Sequence, residues 1–564
     1  MLKSTLTPIF STFPAKPRYR KLLCRAISGN FNPIQTVRQN AAPNIFTTAQ
    51  LPPTSVYIHL PFCRKRCHYC DFPVVALGSN SPTQTNDNED DPRILNYIQL
   101  LCREINASRV SFESHSPLET VFFGGGTPSL VPPRLVSSIL DLLKGKFGVT
   151  SDAEISMEMD PGTFDVKKME EFMELGVNRV SLGVQAFQEQ LLKACGRAHG
   201  VDEVNEAIEI MKSCGVENWS LDLISSLPNQ TPQMWEESLK LTIEAQPNHV
   251  SVYDLQVEQG TKFGTLYTPG EFPLPTDVQS ADFYRTASRM LSGAGYNHYE
   301  ISSYCQDGFE CKHNFTYWKN KPFYGFGLGS ASYVRGMRFS RPKKMGGYIN
   351  FVRSLENDKV DYTGNTNINV GDLASDIVML SLRTAAGLNL KSFLCAFGYS
   401  VVASLCEAYK PFIESGHVLC LNEQRRVVNA DEFNASLNED GIGRGLAYIR
   451  LSDPDGFLLS NELISIAFGS YVCICNQWNR IEVNDNVDWI DQEKGRALPK
   501  FGEWDVNNPA AAEGFTVVFN KARDEKKTKG SAPNIMPSAS SKKNQPPPSP
   551  PTPKSKLEFK DLWG

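Results

Sequence analysis

VYIHLPFCRKRCHYCDFP, Val56 to Pro73, decides how the rest of the chain is read. It sets Cys63, Cys67 and Cys70 in a C-x3-C-x2-C spacing directly after a short apolar, β-rich run. Three thiolates this close together can grip one cluster or metal. They are one ligand short of the four that a closed zinc or cubane iron–sulfur site takes, which leaves one metal position open to a substrate or cofactor. A zinc knuckle completed by a distant fourth ligand, or unrelated surface cysteines, are the alternatives that spacing alone allows.

Outward from this stretch, β-rich runs alternate with helical patterns. The strand candidates are 56–60, 120–124, 154–160, 179–185, 219–225 and 249–256, with helices expected near 93–111, 132–147, 165–175, 188–194, 202–214 and 233–245. Strand then helix, six times over, predicts an α/β fold with a parallel sheet wound by helices. Six units fall short of the eight that close a full barrel, so a partial (β/α)6 barrel is expected. PFYGFGLGSASYV (322–334) reads as a Gly-punctuated strand closing this domain. The polar run from Ser79 to Asp91 reads as a solvated insertion.

Reactive groups in such sheets gather at the carboxyl ends of the strands. Gly124-Gly125-Gly126-Thr127-Pro128 follows the second strand, where glycine lets backbone approach a ligand closely, although a tight turn would account for it equally well. Glu158 ends the third strand before Asp160-Pro161-Gly162, Gln185 ends the fourth, Arg197 follows it, and Asp222 lies on the fifth. Their recurrence at equivalent strand ends beside a three-cysteine loop argues for a shared pocket.

Composition bounds the remainder. Of 564 residues, 41% are apolar and 21% charged, ordinary for a globular chain, and the net charge of -5 gives no general pull toward nucleic acid. No run approaches the roughly 20 apolar residues that span a bilayer. Fourteen cysteines are too sparse for a disulfide scaffold, and three in a tight cluster read as metal ligands in a reducing compartment. Residues 1–50 carry Lys3, Lys16, Arg18, Arg20, Lys21, Arg25 and Arg38 and no acid; the first acidic residue is Asp71. A basic, hydroxylated leader of this kind predicts an organellar transit peptide, chloroplast by its Ser and Thr content, with mitochondrion the alternative.

Together the cysteines, the strand before them and the Gly-rich turn resemble the radical S-adenosylmethionine (SAM) superfamily. YIHLPFC, FFGGGTPS, EISMEMDPGT, RVSLGVQAF, LDLISSLPNQT and HNFTYW resemble, more closely, the oxygen-independent coproporphyrinogen oxidases and their haem-chaperone branch, over about 55–470. The resemblance implies that Cys63, Cys67 and Cys70 ligate a [4Fe-4S] cluster whose open iron binds SAM. It implies that Tyr57, Tyr69, Gly125, Gly126, Thr127, Glu158, Gln185, Arg197, Asp222 and Gln256 line the SAM site. The oxidases carry a fourth cysteine where Phe72 stands here, and His313-Asn314-Phe315-Thr316-Tyr317-Trp318 matches the H-N-x-x-Y-W motif tied to haem in the chaperones. Both features favour a haem chaperone without oxidase activity over the decarboxylating enzyme, with His313 as haem contact and Cys311 its rival. The implied partners are haem, apo-haemoprotein recipients, an electron donor such as ferredoxin or flavodoxin, and a second copy of the chain.

The expected organisation is a transit peptide (1–50), a radical SAM partial barrel (51–335), a mostly helical, winged-helix-like accessory domain (336–471) and a linker (472–494). Asp376 stands where the family usually carries Glu, and Leu419–Leu451 is longer and more polar than the family norm. Residues 495–530, with Pro499-Lys500-Phe501-Gly502-Glu503-Trp504 at their centre, resemble the plant NOI (nitrate-induced) domain, whose P-x-F-G-x-W segment is recognised by a pathogen cysteine protease. Either a true fusion or two neighbouring genes joined in translation would produce this pairing. Residues 531–564 are Pro/Ser/Lys-rich and are expected to be disordered, and the ending KDLWG lacks the cysteines that acylation requires.

Overall fold

The computed structural model describes residues 50–78, 91–108, 116–357, 370–438, 441–442 and 445–467. The basic leader, residues 79–90 of the polar insertion, and everything from 468 onward, including the NOI-like segment, lie outside the described residues.

The apolar runs form a single sheet. Strands β1 (Ser55–Leu60), β2 (Leu118–Gly125), β3 (Val149–Met159), β4 (Arg179–Gln185), β5 (Trp219–Ser225) and β6 (His249–Asp254) pair in parallel and in sequence order. On β1, Val56, Ile58 and Leu60 are fully buried against the helical layer, while Tyr57 and His59 turn to the concave face. The crossovers are α1 (Pro92–Ala107), α2 (Pro133–Phe147), α3 (Val166–Glu174), α4 (Glu189–Cys195) with α5 (Val201–Ser213), and α6 (Pro232–Ala245). Their starts follow local chemistry. Asp91 accepts from Arg93 N at α1, Asp165 from Lys168 N at α3, and Thr231 from Met234 N at α6, each satisfying an amide that the first turn leaves unpaired. On α1, Ile94, Tyr97, Ile98, Leu101 and Ile105 recur at helical spacing and enter the main core.

Beyond β6 come α7 (Lys262–Leu266), α8 (Asp277–Gly293) and two strands, β7 (Asn297–Glu300) and β8 (Ser303–Cys305), which extend the sheet antiparallel as β6-β8-β7. The segment expected as one closing strand is divided. β9 (Tyr324–Phe326) joins the parallel sheet on the free side of β1, whereas Ala331–Val334 forms an antiparallel ribbon with Met337–Ser340. Gly327 (φ +102°) and Gly329 (φ +69°) make the turn between them, in the left-handed region where glycine is least strained. Among the described residues the order is therefore β9-β1-β2-β3-β4-β5-β6-β8-β7, nine strands of which seven are parallel, in an open sheet. α9 (Lys312–Trp318), which contains the H-N-x-x-Y-W residues, lies between β8 and β9 in sequence.

A second core contains residues from Leu373 to Ala467 and takes in Ile301 and Trp318 from the barrel side. Around it are helices Val370–Ser381, Leu390–Phe397 and Tyr399–Glu414, with a three-stranded antiparallel sheet of Leu388–Asn389, Tyr448–Leu451 and Val418–Leu421. Helices capped by a small sheet give it winged-helix character. Asp453 joins it to the barrel by accepting from Ser288 Oγ (3.1 Å) and pairing with His298 Nδ1 (2.8 Å). The shorter acid at Asp376 still reaches Arg338, at 3.0 Å.

Candidate functional site

The cysteine loop leaves the carboxyl end of β1 and is fastened on several sides. Thr127 N donates to Phe62 O (2.6 Å), Leu77 N to Cys63 O (2.8 Å) and His68 N to Cys195 O (2.8 Å). His68 Nδ1 meets Ala194 O at 2.8 Å, Lys262 Nζ lies 3.0 Å from His68 Nε2, and Phe263 N donates to His68 O (2.9 Å). Arg66 donates to the Phe72 carbonyl across the loop. Gly196 sits at φ +70°, and a Cβ there would meet the His68 ring at 2.6 Å, so this close approach requires glycine.

The three thiols are free and partly accessible. Burial pushes the Cys63 thiol up to about 12; Thr127 opposes this with a hydrogen bond, and Cys70 and Cys67 add to it. Burial also raises the Cys70 thiol, with Cys67 adding. The cysteines thus lie within electrostatic reach of one another, in a setting that disfavours bare thiolates. A cationic cluster reverses that balance, because coordination deprotonates a thiol outright. Among the described residues no three His, Cys, Asp or Glu side chains converge on the point a single metal ion would occupy. Three thiol donors on one loop are the donor set that a cubane with one open iron takes.

Next to the loop, the concave face of the sheet presents Tyr57, Phe122, Glu158, Ser181, Gly183 and Asp222 on adjacent strands, all partly accessible. Pairing aligns Tyr57 with Phe122, Glu158 with Ser181, and Gly183 with Asp222. Glu158 Oε2 accepts from Gly125 N at 2.9 Å. Burial lifts its carboxyl to about 7, against that amide and with the charge of Asp222 adding. Burial raises Asp222 too, although Ser181 Oγ (2.7 Å) and Ser220 Oγ (3.1 Å) donate to it. Two sheltered carboxyl groups, both raised by burial, accommodate hydroxyls or a cation. Gln185 adopts φ +70°, unusual outside glycine, where the β4–β5 ladder shifts register. Its amide folds over Gly183, since a Cβ on Gly183 would lie 2.9 Å from Gln185 Nε2. Gln256 lies just beyond β6 and donates to Asp254 O at 3.4 Å.

The glycine triplet is demanded by packing within the chain. A Cβ at Gly124 would come 2.8 Å from the Tyr57 ring, at Gly125 (φ +115°) 2.5 Å from His59, and at Gly126 2.6 Å from Phe62 O.

Arg197 is turned toward the cysteines. Its Nη1 donates to Cys67 Sγ (3.4 Å) and Tyr69 OH (3.0 Å); its Nη2 donates to Gly183 O (3.0 Å) and the Asp160 carboxylate. Asp160 also meets Arg64 Nη2 at 3.3 Å and His199 Nδ1 at 3.1 Å. Burial alone would raise this carboxyl; Arg197, His199 and Arg64 outweigh it and hold Asp160 well below the usual range.

His313 and Cys311 lie at the other end of the sheet. α9 closes the floor beneath the amino ends of the strands, where Glu154 accepts from Lys312 N (3.2 Å) and His313 N (3.1 Å) and Cys311 Sγ lies 3.7 Å from Oε1. His313 Nδ1 pairs with Thr120 Oγ1 (2.7 Å), Nε2 with Tyr317 OH (2.8 Å), and the ring stacks on Phe122 (5.1 Å between centroids). His313 is 1% exposed and Cys311 2%. Burial lowers the imidazole to about 3, so it is neutral. In this arrangement neither residue offers an open coordination position, and the motif does not fit axial haem ligation as it stands.

Cys63, Cys67, Cys70, Tyr69, Thr127 and Arg197 are thus brought together, with Tyr57, Gly125, Gly126, Glu158, Gln185 and Asp222 around the same end; His313 is apart. Sequence reasoning passed over Asp160 as a turn marker and did not register His199, His68 or Lys262. The cue was present for Asp160, which occupies the same strand-end position as the residues that were chosen.

Residues 57–242 match the Radical SAM superfamily, and residues 493–527 match a family described as the cleavage site for pathogenic type III effector avirulence factor Avr. The chain is 38% identical over 424 residues to the heme chaperone HemW of Synechocystis sp., covering 75% of this chain and 98% of the relative. It is 30% identical to HemW of Bacillus subtilis, covering 68% and 99%. A zebrafish (Danio rerio) relative named radical S-adenosyl methionine domain-containing protein 1, mitochondrial, is 30% identical over 49% of this chain and 59% of its own. Coproporphyrinogen III oxidase from Escherichia coli, a radical SAM enzyme, has the same fold at a TM-score of 0.58 and 19% identity, covering 75% of this chain and 92% of its own. The chain belongs to the HemW-type heme chaperone family of radical SAM proteins.

Proposed function

We propose that this protein holds a [4Fe-4S] cluster on Cys63, Cys67 and Cys70, binds SAM against Tyr57, Tyr69, Gly125, Gly126, Thr127, Glu158, Gln185, Arg197, Asp222 and Gln256, and binds haem for transfer to apo-haemoproteins. The observation that carries the reading is three free cysteines on one strapped loop, beside a concave face bearing two carboxyl groups raised by burial. When bound, a reduced cluster supplies the electron that cleaves the SAM sulfonium bond. The chain's own contribution is to hold the loop still, to keep Glu158 and Asp222 sheltered for the ligand's hydroxyl and cationic groups, and to limit water at that end of the sheet. Haem binding rests on family membership and on the H-N-x-x-Y-W residues. Ligation by His313 requires its pairing with Thr120 or Tyr317 to open.

The leader at 1–50 fits import into a chloroplast, with mitochondrion the alternative. The segment at 495–530 fits a peptide recognised by the effector protease; incubating the full chain with such a protease should clip it there, and an intact chain would remove that part of the reading. For the core of the proposal, Cys67→Ala should abolish the brown absorbance of anaerobically reconstituted protein. Survival of that absorbance would show that the ligands are elsewhere.

A further inference from the structure

Arg197 makes more contacts than a ligand-binding arginine needs. One terminal nitrogen faces Cys67 Sγ at 3.4 Å and Tyr69 OH at 3.0 Å; the other is held by Gly183 O and by Asp160. Its Nε is buried with no hydrogen-bond partner among the described residues. Asp160 is the hub. Arg64, next to Cys63 in the chain, reaches it at 3.3 Å and also donates to Pro161 O (2.7 Å) and Gly162 O (3.3 Å). His199 meets the same carboxylate from the α4–α5 turn. The Asp160 turn, the cysteine loop and the segment after α4 are therefore tied at one point, and the tie ends on a cysteine sulfur.

We propose that Arg197 tunes the reduction potential of the cluster through its N–H···S contact with Cys67, and that Asp160 is the positioning residue that keeps it there. This rests on the assignment of Cys63, Cys67 and Cys70 as cluster ligands. Reduction adds one negative charge to a cluster. A guanidinium donating to a ligand sulfur stabilises the reduced form more than the oxidised one, so the contact raises the potential. The charge of Asp160 acts in the opposite direction. Removing it gives opposite results under the two possible roles: a purely electrostatic role raises the potential, whereas loss of positioning lets Arg197 leave the sulfur and lowers it.

The test is an EPR-monitored redox titration of the anaerobically reconstituted full chain without SAM, with iron content measured on each sample. Arg197→Gln and Asp160→Ala should both take up iron as the wild type does and shift the midpoint to lower potential. Arg197→Lys, which keeps the charge but cannot span Cys67 and Asp160 together, should fall between Gln and wild type. An unshifted midpoint in a fully loaded Arg197→Gln protein overturns the tuning role, and a raised midpoint in Asp160→Ala overturns the positioning role. If neither Arg197 variant loads iron, the arginine holds the loop together and the tuning role is likewise overturned. A wild-type chain that takes up no iron refutes instead the ligand assignment.

Discussion

At the scale of single residues, the environment gives each polar group a state that can be measured. Glu158 titrates near 7 in the folded chain, so between its ordinary range and that value the native state holds a proton the unfolded chain has lost. Stability from this group is present at low pH and declines as pH rises through about 7. A shift of this size, reduced for partial solvent access, corresponds to about 1–2 kcal/mol. Urea denaturation of the apo chain at pH 5.5 and pH 8 should register the decline, and Glu158→Gln should remove that part of the difference. For a cationic ligand the sign inverts. SAM affinity should rise across the same interval as Glu158 ionises, and the Gln variant should lose that dependence in calorimetric titrations at several pH values. Tyr317→Phe frees His313 Nε2 from its partner at 2.8 Å. If that nitrogen binds haem iron, haem affinity should increase several-fold; unchanged affinity in the Phe variant would move the ligand away from His313. This substitution is cleaner than His313→Ala, which also deletes a buried ring stacked on Phe122 and leaves Thr120 unpaired.

At the scale of elements, the parallel strands and crossover helices were legible because each carries its own signal. Apolar runs such as VYIHL are bounded by polar turns, and helices such as Pro92–Ala107 open with Asp-Pro and keep a 3.6-residue apolar period. β7 and β8 escaped because NHYE and SYC are short and polar, and they are strands only because β6 offers them an edge. The division of 322–334 depends on the left-handed turn at Gly327 and Gly329, which local propensity does not announce. Glu158 and Gln185 were legible at strand ends, Asp222 on its strand, and the cysteines in the loop after the first strand. The burial of His313 was not, since only the assembled sheet shows that α9 seals its floor. The glycine turn is sensitive to change. Gly125→Ala would place a Cβ 2.5 Å from His59 at a φ of +115°. Backbone strain alone is worth roughly 1–3 kcal/mol, so the unfolding free energy from denaturant titration should fall by at least that much, with reduced iron uptake.

At the scale of the whole molecule, α9 bridges the sheet and the second core. His313 faces the sheet, while Trp318 packs with Leu373, Val378 and the helices that follow. Together with the His298–Asp453 and Arg338–Asp376 pairs, this ties the barrel floor to the accessory region. A chain ending at residue 357 should therefore expose Ile301 and Trp318, bind a hydrophobic dye and melt at a lower temperature. A melting point equal to that of the full chain would show that the accessory region is independent of the floor. The cysteines and Arg197 stand at the carboxyl ends of the strands and His313 beneath their amino ends, with Phe122 stacked on both His313 and Tyr57 between them. The most direct test is a haem titration of the anaerobically reconstituted full chain, with coproporphyrinogen conversion assayed on the same sample. Haem binding without protoporphyrinogen formation is the predicted result; conversion of coproporphyrinogen, or no haem binding by cluster-loaded protein, would contradict the chaperone account.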